Sequence, residues 1–258
     1  MKKSILTLFG LLLLHGALLA QVRDLRIMSY NLRFGELASM EQIGKYIAEK
    51  DPDLVALQEC DWNTARKRAP KQNHVRFVNE LGRVTGLFTA YGKALDYMGG
   101  YYGIGILSRY PIIRVDRVLL PHEGRAEQRV MLVVDVEMPD RGIVTFACTH
   151  LEVTSPEARH EQTGFINAYF ARTPYPTFLA GDMNAAPDSP EIQRLTDDGW
   201  TPLTNSEPTY PASDPSIKID HIFYRGELPI ELKRTVTCDD SQLSDHRPVL
   251  SEVALGKE

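Results

Sequence analysis

The residues with the clearest chemical potential are acids, amides and histidines attached to short apolar runs. Near the C-terminus, Ser244-Asp245-His246-Arg247-Pro248-Val249 sets a carboxylate and an imidazole in front of the strand-like run Pro248 to Val253. Ile219-Asp220-His221-Ile222-Phe223, Gly181-Asp182-Met183-Asn184 and Ala56-Leu57-Gln58-Glu59 repeat the arrangement upstream, as do Asn31 and His150 at the ends of their own runs. Four acids (Glu59, Asp182, Asp220, Asp245) thus fall at predicted strand ends with Asn31, Asn184, His150, His221 and His246. Oxygen-rich donors with few nitrogens suit a hard cation; Mg2+ is expected, and Mn2+ or Ca2+ fits the same donors. Zinc would want His or Cys at ligand spacing, and the sequence has no His-x-x-x-His pair.

Mg2+ commonly takes one or two carboxylates and leaves positions for water and phosphate. Glu59 and Asp245 are expected in that role, with Asn31 beside them. His246 can take a proton from water if a carboxylate holds its other ring nitrogen, and Asp220 is the candidate. Asp182 and Asn184 are two apart, so on an extended segment they point the same way. One would hold the attacking water and the other a non-bridging phosphate oxygen. His150 would stabilise or protonate the departing oxygen. Taken singly, Asp182 or Asp220 reads as a turn or capping residue and His150 as a hydrogen-bonded strand end; convergence is what points to a site. His221 should face away from Asp220 and be structural, because neighbours on a strand face opposite ways. His74, His122 and His160 read as surface residues.

These side chains need elements to hold them. Leu25 to Leu32 and Leu54 to Leu57 read as strands. Between them, Ser39-Met40-Glu41-Gln42 is a capping box for a helix that Asp51-Pro52 stops. Residues 61–72 read as a charged, solvated loop, after which Asn73 caps a second helix carrying Val75, Val78, Leu81 and Val84. Strands are expected at Leu87 to Tyr91, Gly103 to Ser108, Pro111 to Leu120, and as a hairpin of Arg129 to Val134 with Ile143 to Ala147. Ser155-Pro156-Glu157 starts a helix reaching about Arg172, Pro176 to Ala180 is a strand, and Ser189-Pro190-Glu191 starts a short helix. A loop over 201–216 and strands at 219–224, 228–236 and 248–254 follow. This order predicts an α/β fold in which two mixed sheets, mainly antiparallel, lie face to face with helices outside. Strict β-α alternation, hence a dinucleotide-binding fold or barrel, fits poorly.

Residues 1–20 read as a signal peptide, basic at Lys2-Lys3 and apolar from Ile5 to Ala20, which implies a secreted or periplasmic protein. The run is shorter than the ~20 residues of a spanning helix. Residues 21–258 suit a single domain with its own core. Cys60, Cys148 and Cys238 allow at most one disulfide, and Cys148 reads as a buried apolar residue. The formal charge of −5 lacks the basic field of a tight non-specific DNA binder. Nucleic acid, lipid headgroups and sugar or inositol phosphates stay open as phosphate-ester partners, and no obligate protein partner is indicated. Tyr97, Tyr101, Tyr102 and Trp62 read equally as ordinary core or as aromatics that stack on a base or sugar or dip into lipid, with Tyr102 a candidate substrate contact.

The motifs together resemble the endonuclease/exonuclease/phosphatase superfamily, which includes pancreatic-type deoxyribonuclease, exonuclease-type apurinic endonucleases, neutral sphingomyelinases and inositol-polyphosphate phosphatases. The resemblance rests on Ser29-Tyr30-Asn31-Leu32-Arg33, Ala56-Leu57-Gln58-Glu59, Gly103-Ile104-Gly105-Ile106-Leu107-Ser108-Arg109, Thr149-His150-Leu151, Gly181-Asp182-Met183-Asn184, Ile219-Asp220-His221-Ile222 and Ser244-Asp245-His246-Arg247-Pro248-Val249, in family order over nearly all the chain after residue 20. It implies a four-layer α/β sandwich and a Mg2+-dependent phosphoester hydrolase, a phosphodiesterase in the first reading. Glu59 resembles the metal-binding acid with Asn31 beside it, Asp245 a further metal-binding or nucleophile-positioning acid, Asp182 and Asn184 the pair at the phosphate, Asp220 and His246 the dyad, His150 the leaving-group histidine and Arg129 a phosphate clamp. The departure is at Tyr101, where many relatives carry an acid; Asp96 or Glu152 would then have to partner His150. The alternative is a non-catalytic module that binds a phosphate ligand or a protein on the same fold, although none of the acids or the dyad is missing.

Overall fold

The computed structural model describes residues 24–256 apart from 123, 125, 126, 140, 240 and 241; the leader read at residues 1–20 lies outside the described residues. The chain runs β1 (Leu25–Asn31), α1 (Met40–Lys50), β2 (Leu54–Trp62), α2 (Phe77–Thr85), β3 (Phe88–Tyr97), β4 (Gly100–Ser108), β5 (Ile112–Leu119), β6 (Val130–Met138), β7 (Gly142–His150), α3 (Pro156–Phe170), β8 (Thr177–Asp182), α4 (Pro190–Asp197), β9 (Thr201–Pro202), β10 (Asp220–Arg225), β11 (Ile230–Thr237) and β12 (Val249–Leu255). One six-stranded sheet has the order β11-β12-β1-β2-β4-β3 and the other β5-β6-β7-β8-β10-β9. Among the described strands, β1–β2 and β7–β8 pair in parallel and the other pairs are antiparallel, as the hairpin signals imply.

Alternation along each strand separates the layers. Ile27, Leu54, Ala56, Ile104 and Ile106 face Leu132, Val134, Phe146, Cys148, Phe178 and Ile222 in the core between the sheets. The outward residues Met28, Tyr30, Val55 and Leu57 pack under α1 and α2, and Met131, Val133, Ala147 and Leu179 under α3 and α4. The result is the expected four-layer sandwich. Local signals start the helices: Ser39 and Gln42 make the reciprocal capping box, and Ser155 and Ser189 cap α3 and α4 with Pro at the next position.

Several expectations need correcting. Asn73 does not cap α2. Residues 70–72 form a 3-10 turn, His74 takes a positive φ, and Val75 accepts a hydrogen bond from the Asn63 amide, so the helix begins only at Phe77. The strand expected at Leu87 to Tyr91 continues to Tyr97 and turns through Met98 and Gly99, both at positive φ. Within the loop read as solvated, Asp61 and Arg66 are buried and form a bidentate pair at 2.8 Å. The loop read at 201–216 contains β9 and a bridge from Tyr210 to Ile217. The three cysteines are buried and free.

Gly181 decides how closely β7 and β8 approach. A Cβ there would lie 2.0 Å from the Thr149 carbonyl oxygen, which is backbone and cannot move aside. Gly181→Ala is therefore expected to destabilise the protein by about 2–4 kcal/mol, lowering the urea midpoint at unchanged slope. An unshifted midpoint would mean the two strands are not pinched at this point.

Candidate active site

Strand register assembles half of the site. His150 pairs with Asp182 across β7–β8, and Asp182 with Asp220 across β8–β10, so the three stand in a row across one sheet. The other sheet supplies Asn31 from the end of β1 and Glu59 from β2. β12 runs antiparallel to β1 with Ser29 opposite Val249, which brings Ser244 to His246 alongside Asn31. Ser244 Oγ donates to the Asn31 carbonyl at 2.6 Å and fixes that approach.

Glu59 reaches the site through an irregularity. The β2–β4 register shifts between Leu57 and Cys60, and Glu59 within that bulge has φ 57°. Positive φ is uncommon for a residue with a Cβ, and a bulge re-aims the side chain it carries. Asn184 also has positive φ, at 48°. It does not lie on an extended segment with Asp182, as the sequence suggested. Its amide N–H donates to Asp182 Oδ1 at 2.9 Å in a tight turn, and its side-chain Nδ2 donates to the Leu151 carbonyl at 3.0 Å.

Asp182 Oδ2 is the meeting point. Asn31 Nδ2 donates to it at 3.0 Å from the opposite sheet, and also lies 3.2 Å from Glu59 Oε1. His150 Nε2 stands 3.5 Å from the same oxygen and His246 Nε2 3.7 Å. The other nitrogen of His246 is 3.0 Å from Asp220 Oδ2, the expected dyad. Glu59, Tyr102, Glu127, Arg129, His150, Val153, Asp182, Asn184, Tyr210, Ile217, Ile219, Asp245 and His246 line one hollow of about 420 Å³. Thus the structure gathers Asn31, Glu59, Arg129, His150, Asp182, Asn184, Asp220, Asp245 and His246 at one end of the sandwich, with Tyr102 on the wall.

Other expectations separate. His221 faces away, with Nε2 3.0 Å from the Ala185 carbonyl, and His74, His122 and His160 are exposed. Neither acid suggested for His150 reaches it: Asp96 is exposed and pairs with Lys93, while Glu152 accepts from Thr154 and sits 3.7 Å from Arg129. Asp182 faces His150 instead. Tyr97 and Tyr102 are not free stacking platforms, since the Arg66 guanidinium lies over both rings. Sequence reading missed Arg33 as the partner of Asp245, at 2.5 Å, and the walls Tyr210, Ile217 and Val153. Arg33 stood within a recognised motif; the wall residues carry no local signal.

The charges are strained. Burial pushes Glu59 up to about 7 and Asp182 up to about 6, despite hydrogen bonds that oppose it. For His246, burial acts to lower the value, but Asp220 and Asp182 outweigh it and raise it to about 10. His150 goes the other way: burial, then Arg129 and His246, hold it neutral well below the usual histidine range. A cation fits this setting. Asp245 Oδ1 is buried without a hydrogen-bond partner, and burial, with Asp245 and Asp182 nearby, keeps the Glu59 carboxylate partly protonated. Asp182, Asp220 and His246 also bring ligand atoms within 4.8 Å of one another, although the last two engage each other.

The sequence matches the Endonuclease/Exonuclease/phosphatase family over residues 28–246. The Escherichia coli (strain K12) protein YbhP is 28% identical over 182 residues, covering 64% of this chain and 68% of that protein. An endonuclease/exonuclease/phosphatase from Beutenbergia cavernae superposes with a TM-score of 0.75 at 22% identity, covering 91% of this chain and 72% of that one. A Bacteroides thetaiotaomicron mannosyl-6-phosphatase does so at 0.73 and 17%, covering 90% and 100%. At these identities the structural likeness is one of fold.

The charge pattern sets a pH response. Glu59 and Asp182 have folded values above their unfolded ones, so the metal-free fold loses stability as pH rises from about 4 to 7. The stability His246 contributes is fully present below 6.5 and is lost as pH rises through about 10. Mg2+ at ~100 times its Kd is expected to raise the melting temperature by about 5–10 °C at pH 7.5. The gain should be clearly smaller at pH 5 and should shrink in Glu59→Gln. Equal gains at both pH values would remove Glu59 from the cation site.

Proposed function

The chain belongs to the endonuclease/exonuclease/phosphatase family, and from that premise we propose that it is a Mg2+-dependent phosphodiesterase that directs water in line at phosphorus. Enzymes of this family typically use divalent metals, and family and site chemistry together support a phosphoester hydrolase. The observation that carries the finer reading is the Asp220–His246 dyad opening onto the same hollow as Glu59, Asp182 and His150.

In this reading Asp220 Oδ2 accepts the Nδ1 proton of His246 and turns Nε2 towards the hollow. His246, when neutral, takes a proton from the attacking water as the water oxygen bonds to phosphorus. Asp182 orients that water, and Asn184 and Arg129 hold non-bridging oxygens. The bond to the leaving oxygen breaks as the new one forms. Because burial keeps His150 neutral, it suits donating a hydrogen bond to the departing oxygen better than delivering a full proton. A divalent cation held by Glu59 and Asp245, with Asn31 beside them, would neutralise charge developing on the phosphate.

The lining favours a substrate with one phosphate and a neutral organic group. Among the described lining residues Arg129 is the single Arg or Lys, and Glu127 at 3.3 Å already draws on it. One shared guanidinium suits the single charge of a diester better than a phosphomonoester dianion. Tyr102, Tyr210, Val153 and Ile217 offer apolar surface around the polar floor. A polynucleotide would want more cations along the rim. The leader-like residues 1–20 support a secreted or periplasmic location for this activity.

Purified protein should hydrolyse bis-p-nitrophenyl phosphate with Mg2+, lose the activity in EDTA and regain it on Mg2+ addition. His246→Ala is expected to lower kcat about 10²–10⁴-fold with the fold retained by circular dichroism. Near-normal turnover in that variant would end the dyad assignment. A panel of DNA, RNA, sphingomyelin and inositol phosphates, run at two salt concentrations, separates a nuclease with a steep salt slope from a small-substrate enzyme.

A further inference from the structure

Lys218 lies between Ile217 and Ile219, two wall residues of the hollow, yet its own side chain is not part of that wall. The residue is only 4% exposed. Its Nζ is buried with no hydrogen-bond partner, and so is Asp220 Oδ1, the carboxylate oxygen that His246 does not use. A desolvated ammonium and a desolvated carboxylate oxygen therefore sit two residues apart without a hydrogen bond between them, and the Thr209 hydroxyl and His246 also act on that carboxylate.

Leaving an ammonium in such a place is costly unless its charge acts on something. The charged groups that act on it are Asp220 and Glu207, and it in turn acts on Asp220 and His221. Of these, Asp220 is buried like Lys218, Glu207 is exposed, and His221 is held neutral by burial. Burial lowers the Lys218 ammonium to about 8, which leaves it charged at neutral pH. Attraction over a few ångströms is strong only where water is excluded, so the buried carboxylate is where its field is felt. The backbone makes the geometry rigid. Thr209 Oγ1 accepts from the amides of Ile219 and Asp220, the Met183 amide donates to the Ile219 carbonyl, and the Arg247 amide donates to the Thr209 carbonyl. One short strap thus locks Lys218, Asp220 and the segment carrying His246 together.

We propose that Lys218 is a positioning residue for the dyad, its buried positive charge helping to hold the Asp220 carboxylate in place so that the ring of His246 keeps its orientation. This rests on the hydrolase reading only for its kinetic consequence; the coupling from Lys218 through Asp220 to His246 is a property of the fold.

Lys218→Met keeps the length of the side chain and removes the charge. A lysine with a merely structural role would show a lower melting temperature and an undisturbed dyad in the variant. The positioning role predicts a disturbed dyad in a variant still folded by circular dichroism at the assay temperature, because the charge facing the buried Asp220 carboxylate is gone. With bis-p-nitrophenyl phosphate and Mg2+, kcat should fall about 10–100-fold with KM within about twofold. The low-field proton resonance of His246 Nδ1, assigned by its loss in His246→Ala, should shift or broaden in Lys218→Met. Lys218→Arg should restore the resonance and part of kcat. Wild-type kcat and resonance in Lys218→Met would overturn the proposal, as would a kcat loss with the resonance unchanged. If wild-type protein hydrolyses no phosphoester, the function proposed above fails, and the resonance alone decides whether Lys218 acts on the dyad.

Discussion

One carboxylate oxygen has to be satisfied by donors from both halves of the sandwich. Asp182 is almost wholly buried, and its Oδ2 faces Asn31 from one sheet and His150 from its own, with His246 arriving from the segment ahead of β12. A buried acid without such partners would be severely unfavourable. The Asn31–Asp182 hydrogen bond is therefore both a structural tie across the mouth of the inter-sheet core and the floor of the site. Below it the sheets are held by apolar packing, and above it the polar side chains diverge into the hollow.

The two residues with the most constrained backbone in the site are also those aimed most directly at it. Glu59 and Asn184 take positive φ, a state costing about 1–3 kcal/mol that persists only when the surroundings over-determine it. For Glu59 the regular pairing on either side of the bulge supplies that constraint: β2 pairs with β1 up to Gln58 and with β4 on both sides of the shift. For Asn184 it is the hydrogen bonds of its own amide to Asp182 and of its side chain to Leu151. Arg33 and Phe34 are a third instance, where a turn at positive φ carries the guanidinium to Asp245.

Much of this was legible beforehand because the informative strands are apolar on both faces and end in polar residues. Leu54 to Leu57, Val144 to Cys148 and Phe178 to Ala180 could hardly be anything else, and the residues at their ends follow from them. The order of the motifs then pointed to the family. What stayed hidden depends on partners remote in sequence. Asn73 looks like a helix cap until Trp62 and Asn63 claim the segment around it. Arg66 looks solvated until Asp61 and the rings of Phe34 and Tyr97 enclose it. Asp182 and Asn184 share a wall for a reason other than strand alternation. Lys218 has no local pattern at all, since its neighbours are a serine and two isoleucines around it in a turn-rich stretch.

The charge state of His246 links these parts. Left to its carboxylate neighbours, the imidazole holds its proton to about 10, and a ring already protonated cannot take one from water. The field that holds the proton comes from Asp220 and Asp182 first and Asp245 after them. A cation drawn to Glu59 and Asp245 would offset part of that same field, so cation and proton compete for one pool of negative charge. Linkage makes the competition reciprocal: whatever binding the cation does to the proton affinity of His246, protonating His246 does to the cation affinity. In the proposed mechanism, the crowding of acids that looks merely unfavourable in the isolated chain would be what lets a bound cation free the histidine to take a proton.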